Sequence, residues 1–494
     1  MEVAVVGLYV LLAGFQIVGP VPIGLADNGD FPKIFGALSI GPAPGNEKAI
    51  AERYFVTDYE ISRARYLWIA YLPSSEYCVA KAAKCLARWL LPHGKFDIRL
   101  MGIMHGLLMA LALWLFVQAY RSSPLWVAVL AGALLLIITT DVEYVQFFST
   151  AYADAAAIVF FCCTAAVVLN VCLRQKSGDR RWLAAFALFG ILFLTSKLQY
   201  QVGVFPLCAL ATFFGLQTKT RRMRKLWLAA AGVFMVTTLG MAMKTRPNYR
   251  DDPMYSVIFV RLAPMSSNPN QVLKDFGLPD EYRKYIGVSP FQDNYLLSDL
   301  KQRKIFEAQV TLSKIASYYF THPTTCLRVL MSDLEQPAAD VNLEYWWTKH
   351  FRMEDYAAHK NDMRFKWWSS LRRQIALRAW LFGPLVYLLA FALVCVCAVR
   401  PRFRDSLPEW PVIGLVAFVG ASTFAVASLY DDQETARHII LYQVVLDLLL
   451  FLFIVRLASL FFVLRRERSA KLMELATIKA QTAHPVIGAN HRHL

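Results

Sequence analysis

The sequence predicts an all-α polytopic membrane protein of about ten transmembrane helices, with both ends in the cytoplasm. Three observations predict it. The 494 residues are 57% hydrophobic, above the roughly half expected of a soluble domain, and the mean hydropathy is +0.39. The excess falls in uncharged blocks of roughly 17–24 residues, the length that crosses a hydrocarbon core. Lys and Arg crowd into alternate short loops between those blocks.

The spans read as 3–24, 99–119, 124–140, 154–173, 182–196, 200–216, 226–243, 378–399, 411–429 and 439–463. One set of short loops, with the tail, carries seventeen cations: Arg121, Arg174, Lys176, Arg180, Arg181, Lys219, Arg221, Arg222, Arg224, Lys225, Arg400, Arg402, Arg404, Arg465, Arg466, Arg468 and Lys471. The opposite short loops carry two, Lys197 and Arg437. That asymmetry puts the first set inside. It also accounts for the net charge of +16, so the basic balance implies no nucleic-acid partner. The first span reads as a retained helix rather than a cleaved signal, because Met1-Glu2 offers no Lys or Arg before it.

Four regions follow. Residues 1–243 form a seven-span module with an outside loop at 25–98. Residues 244–377 form a second outside segment, 378–463 a three-span module, and 464–494 a polar cytoplasmic tail. In the first loop, Glu76 to Leu91 sets Lys81, Lys84 and Arg88 against Val79, Ala83, Leu86 and Leu90. This predicts an amphipathic helix on the bilayer surface, with an ordinary soluble helix as the other reading. The second segment predicts helices at about Asp299–Tyr319 and Thr325–Leu334, broken at Thr321-His322-Pro323. Trp346-Trp347 and Trp367-Trp368 are aromatic pairs, the latter an interfacial anchor.

Of nine cysteines, six lie in or beside apolar spans and behave as small hydrophobes. Cys78 and Cys85 stand about two helical turns apart, too far for a bridge within one helix. A disulfide from either to Cys326 is left open. No Cys/His spacing reads as a metal site.

The chemistry concentrates in four polar turns that the topology puts on one membrane face. The first runs Ala26-Asp27-Asn28-Gly29-Asp30-Phe31-Pro32-Lys33. The second runs Asp141-Val142-Glu143-Tyr144 and on through Ser149 and Tyr152 to Asp154. The third is Ser196-Lys197-Leu198-Gln199-Tyr200-Gln201. The fourth is Tyr430-Asp431-Asp432-Gln433-Glu434-Thr435-Ala436-Arg437-His438. Ionisable groups at membrane depth are costly and mark function. Each turn has a plainer reading: helix-end solvation for Asp27 and Asp30, loop polarity for Lys197 and Gln199, a helix cap for Asp154, and a Glu434–Arg437 pair one turn apart. Four such turns on one face favour a shared site. Carboxylates beside cations suit proton abstraction next to a bound anion. In a membrane cleft the expected anion is a lipid-linked phosphate, forked by Arg437 and met by Lys197.

These stretches resemble the type C superfamily of integral-membrane glycosyltransferases. The likeness lies in Asp27-Asn28-Gly29-Asp30-Phe31-Pro32 after the first span, Phe148-Ser149…Tyr152…Asp154, Lys197-x-Gln199 and Glu434-x-x-Arg437-His438. It covers the layout of 1–240 and 378–463, and looks most like a bacterial branch of surface-glycan hexose transferases. It implies a polyprenyl-phosphate-sugar donor, a glycan or lipid-linked acceptor, and transfer at the outer face of a bacterial plasma membrane. By position the base falls on Asp27 or Asp30. Asn28, Tyr152, Asp154, Lys197, Gln199, Glu434, Arg437 and His438 fall to substrate binding. Some members need a divalent cation and others do not, which leaves metal dependence open. The rival readings are a glycan polymerase or ligase working through Arg246, His322 and Arg328, and a lipid-linked-sugar flippase. A flippase would carry midplane polar groups and repeats.

Overall fold

The structure is a computed structural model that describes residues 1–483 except 21, 52–53, 63–73, 245–247, 291, 293–294, 340–364, 380 and 431–434. Helix dominates. The first part holds α1 (Glu2–Val18), α2 (Glu76–Leu90), α3 (Arg99–Ala119), α4 (Leu125–Thr139), α5 (Val142–Phe148), α6 (Ala153–Leu173), α7 (Arg180–Leu194), α8 (Val204–Gln217) and α9 (Arg221–Lys244). The later part holds α10 (Pro323–Ala339), α11 (Trp367–Arg378), α12 (Phe382–Val399), α13 (Trp410–Tyr430), α14 (Thr435–His438) and α15 (Ile440–Ala483).

Every expected span meets a helix, and not all of those helices have the length of a straight span. Among the described residues seven helices are long and apolar enough to cross a bilayer: α3, α6, Leu198–Gln217, α9, α12, α13 and Ile440–Phe462. The pair α4–α5 adds an eighth if its 62° bend lies within one span. Helix α1 has 17 residues and α7 has 15, short of the roughly 20 a straight span needs. Pro20 and Pro22 follow the end of α1, and a proline ring cannot continue the helical bonding. The bend between α4 and α5 is set by Asp141, whose carboxylate caps α5 by accepting Glu143 N–H at 3.0 Å.

Helix α6 is the buried centre. Beyond Asp154 it carries no charge up to Leu173, and its Ala, Val and Phe side chains pack on α3, α7, α13 and α15. An all-apolar helix of this kind belongs inside a bundle, and it carries Asp154 in its first turn.

The loop 25–98 is not purely helical. Strands β1 (Ile40–Pro42), β2 (Asp58–Ile61) and β3 (Lys95–Asp97) form an antiparallel sheet in the order β1-β2-β3, with Ile40 opposite Ile61 and Asp58 opposite Asp97. Helix α2 forms where the amphipathic pattern predicts. Its buried stripe is Glu76, Val79, Ala80, Ala83 and Ala87, spaced three or four apart as one helix face requires. Leu90, assigned to the apolar face by sequence, is exposed at 64%, beside Trp89 at 90%.

The segment after α9 builds a second apolar core around Tyr255, Phe259, Tyr282 and Phe306. The single helix expected over 299–319 is two, Leu300–Gln309 and Leu312–Thr321, because Thr311 caps a fresh start by accepting Lys314 N–H at 3.3 Å. The next helix, α10, is longer than expected. Trp346-Trp347 lies outside the described residues, and Trp367-Trp368 opens α11. Arg261 joins this core to the bundle, donating to Ser428 O at 2.8 Å and pairing with Asp333. All nine cysteines are free thiols, so the Cys326 bridge is not formed. Beyond 463, where a tail was expected, α15 continues to Ala483.

Arg372 of α11 is buried among Glu143, Tyr144, Asp447 and Gln443. It donates to Asp447 at 2.5 Å and to Gln443 Oε1 at 3.2 Å, and pairs with Glu143. Removing one partner of a buried ion pair strands the others. Arg372→Ala is expected to cost about 3–5 kcal/mol, read as a lowered thermal midpoint in detergent.

Candidate functional site

The turn after α1 is shaped by its own side chains. Asp27 Oδ1 accepts Gly29 N–H at 2.8 Å and Phe31 N–H at 3.1 Å, and Asn28 Oδ1 accepts Asp30 N–H at 3.1 Å. Such Asx bonding favours a tight turn. Gly29 sits at φ +103°, where a side chain would be strained. Tyr152, in the link between α5 and α6, clasps this turn. Its hydroxyl donates to Ala26 O at 2.6 Å and accepts Asn28 N–H at 3.2 Å.

Arg437 lies over the Tyr152 ring, 4.4 Å from guanidinium carbon to centroid, a cation–π geometry. Its Nη1 donates to Asp30 Oδ2 at 2.8 Å and stands 3.8 Å from Asp154 Oδ2. Lys197 meets the two Asp154 oxygens at 3.1 and 3.3 Å, and the Tyr200 hydroxyl donates to Asp154 at 2.6 Å. Gln199 donates to His438 O at 3.1 Å. Arg437 Nη2 lies 3.0 Å from His438 Nε2. His438 thus lies against Arg437 and within electrostatic reach of Asp154.

Seven residues chosen from sequence thus form one connected cluster: Asp30, Tyr152, Asp154, Lys197, Gln199, Arg437 and His438. Asn28 and Asp27 stand in the adjoining turn. Glu434 lies outside the described residues. The second turn divides. Asp154 enters the cluster, whereas Asp141 bonds Ser369 and Glu143 pairs with Arg372. Two contributors were not foreseen in these roles. Tyr200 bonds Asp154, and Lys33 pairs with Asp30. Their signal was adjacency, each lying three residues from a chosen residue. The segment 244–377 borders the site too, since Lys33 lies within electrostatic reach of Asp252, which accepts from the Tyr295 hydroxyl at 3.3 Å.

The two candidate bases differ in kind. Burial foremost pushes the Asp27 carboxyl up to about 6, against the opposing pull of the Phe31 and Gly29 N–H groups. Burial would raise Asp30 as well, but Arg437 and Lys33 outweigh it and hold that carboxyl well below the usual carboxylate range. Asp27 can therefore take and release a proton near neutral pH, while Asp30 stays ionised as a tether for cations. Among the described residues no three His, Cys, Asp or Glu side chains converge to hold a metal ion. Asp30 and Asp154 are both engaged by cations, a donor set that does not fit a divalent metal.

A family model described as the YfdI N-terminal transmembrane domain matches residues 1–475. The chain belongs to the YfdI N-terminal transmembrane domain family. The YfdI match runs without a break through 244–377, the segment for which the sequence offered no relation. No curated protein matches the chain. His322 and Arg328, the centre of the polymerase reading, have partners within their own segment of this YfdI-family chain. His322 stacks on Tyr318 with centroids 4.2 Å apart, and Arg328 donates to Met265 O at 3.4 Å. Arg246 lies outside the described residues.

Tyr152→Phe keeps the ring under Arg437 and deletes the hydroxyl between Ala26 and Asn28. The expected cost is about 1–2 kcal/mol, read by thermal unfolding in detergent. Tyr152→Leu, which also loses the ring, is expected to cost more.

Proposed function

We propose that this chain is a membrane glycosyltransferase that moves a sugar from a polyprenyl-phosphate donor to an acceptor hydroxyl at the extracytoplasmic face. One observation carries the reading. Polar turns far apart in sequence meet in a single cluster that pairs cations fit for a phosphate with a carboxyl poised near neutral pH. The YfdI family fits a membrane glycosyltransferase. The loop charge asymmetry supports the outward orientation.

In the proposed reaction the acceptor oxygen attacks the anomeric carbon. The bond from that carbon to the phosphate oxygen breaks, and polyprenyl phosphate leaves with the electron pair. Asp27 takes the hydroxyl proton. Arg437 and Lys197 receive the leaving phosphate's charge, the term that usually lowers such a barrier most. Asp30 and Asp154 hold those cations in place, and Gln199 and Asn28 orient sugar hydroxyls. While Asp27 is ionised, as a base must be, the charges of Asp27, Asp30 and Asp154 balance those of Arg437, Lys197 and Lys33; taking the proton leaves one net positive charge facing the departing phosphate.

The test is transfer of labelled hexose from polyprenyl-phosphate hexose by the purified full chain in detergent. There a transporter has nothing to move across. Label passing to acceptor or to water is expected. No transfer from any polyprenyl-phosphate sugar supplied with a range of glycan and lipid-linked acceptors would overturn the reading.

A further inference from the structure

The start of α2 touches the backbone of two of the chain segments that carry the cluster. Ser75 N–H donates to Thr195 O at 3.0 Å and its hydroxyl to Leu192 O at 2.7 Å, while the Ser74 hydroxyl donates to Ser196 O. These carbonyls end α7 and lead directly into Lys197. Glu76, next in the chain, turns the other way. Its Oε2 accepts Ala156 N–H at 3.1 Å, within the first turn of α6, two residues beyond Asp154. The first N–H groups of a helix have no partner inside it, and a carboxylate there also suits the helix dipole.

The same Glu76 oxygen lies 3.1 Å from Nε2 of His105 on α3, and both side chains are 0% exposed. His105 Nδ1 lies 2.8 Å from Phe148 O. A carbonyl can only accept, so Nδ1 carries a hydrogen, and Nε2 and the carboxyl share a further proton. The pair is neutral as a whole, which is what a site without water requires. Phe148 stands four residues before Tyr152, the ring under Arg437.

We infer that Ser74, Ser75, Glu76 and His105 form a buried clasp that sets Tyr152, Asp154 and Lys197 at their mutual distances. They are positioning residues, since none touches the reacting groups. The clasp ties three segments: 148–156 through Phe148 O and Ala156 N–H, 192–197 through three carbonyls, and α3 through His105. The functional side of this inference rests on the glycosyltransferase reading, but its geometric side does not.

The experiment uses the full chain in detergent and an amine-acylating reagent, with mass spectrometry reading the acylation rate of Lys197. In the wild type Lys197 is paired with Asp154 and should react slowly. Glu76→Ala is expected to raise the Lys197 rate several-fold while Lys366, buried in another part of the bundle, keeps its wild-type rate. General loosening would raise both. Glu76→Gln retains an amide oxygen for Ala156 N–H and is expected to raise the Lys197 rate less. A wild-type rate in Glu76→Ala, equal rises in the two variants, or a parallel rise at Lys366 would each overturn the clasp. Should Glu76→Ala fail to fold, Ser74→Ala/Ser75→Ala deletes only the hydroxyl bonds and is judged by the same rates. A wild-type chain that transfers no sugar would sink the enzyme reading while leaving the labelling result to decide the clasp.

Discussion

Asp27→Asn is expected to lower sugar transfer by about 10²–10⁴-fold, the usual contribution of a positioned general base. The amide keeps an oxygen for the Gly29 and Phe31 N–H groups, so the turn should survive and the loss should fall on the chemical step. The wild type should show the matching pH dependence. A base must be unprotonated, so kcat/KM should climb as pH rises towards about 6, where the raised Asp27 carboxyl titrates, and level off above. Stability carries the opposite sign. A carboxyl whose folded pKa is raised binds its proton more tightly in the folded chain, and the stability this lends is lost as pH rises through about 6. Asp27→Asn escapes that loss and should unfold no more easily than wild type at pH 8. Transfer measured from pH 5 to 8 beside thermal midpoints checks both. Full activity in the variant would remove Asp27 from the mechanism. Asp30→Asn should also weaken transfer, but without abolishing the climb through pH 6, because Asp30 serves Arg437 rather than the proton.

Arg437→Ala is expected to cost about 10²–10³-fold in kcat/KM, the scale of stripping one partner from a buried charge pair. Arg437→Lys should recover little of it. The guanidinium lies over the Tyr152 ring while donating to Asp30 from one nitrogen and facing His438 with another. A lysine offers a single point charge without that plane. The double change Arg437→Ala/Asp30→Ala should cost less than the sum of the two single changes, because Asp30 without Arg437 is a carboxylate with half its neutralisation gone. Additive losses in steady-state transfer kinetics would mean that the two act separately.

The membrane fold and most of the cluster were legible from residue chemistry. An uncharged block between Asp154 and Leu173 reads as a membrane span, with a single acid at one end. The charge counts marked Lys197 and Arg437, since a topology that gathers cations elsewhere makes two outliers conspicuous. The Asx bonds around Gly29 were equally local, written into four consecutive residues. What failed to show was partnership over distance. Asp141 and Glu143 share a turn with Asp154 in sequence, yet they face Arg372, more than two hundred residues on. Glu76 entered the sequence reading only as the first residue of an amphipathic run. Its burial against His105 depends on how α2 lies across α3 and α6.

The sequence alone determined that this chain is a helical membrane protein with polar turns between its spans, because hydrophobic length and loop charge act on each segment separately. Only the tertiary structure decided which carboxylate remains free to move a proton. Asp27 and Asp30 are the same residue type three positions apart. The packing of Arg437 and Lys33 against one, and burial that outweighs the pull of Lys33 on the other, set their protonation in opposite directions. A pKa is fixed by charges and solvent within a few ångströms, and here one of those charges, Arg437, arrives from 407 residues away.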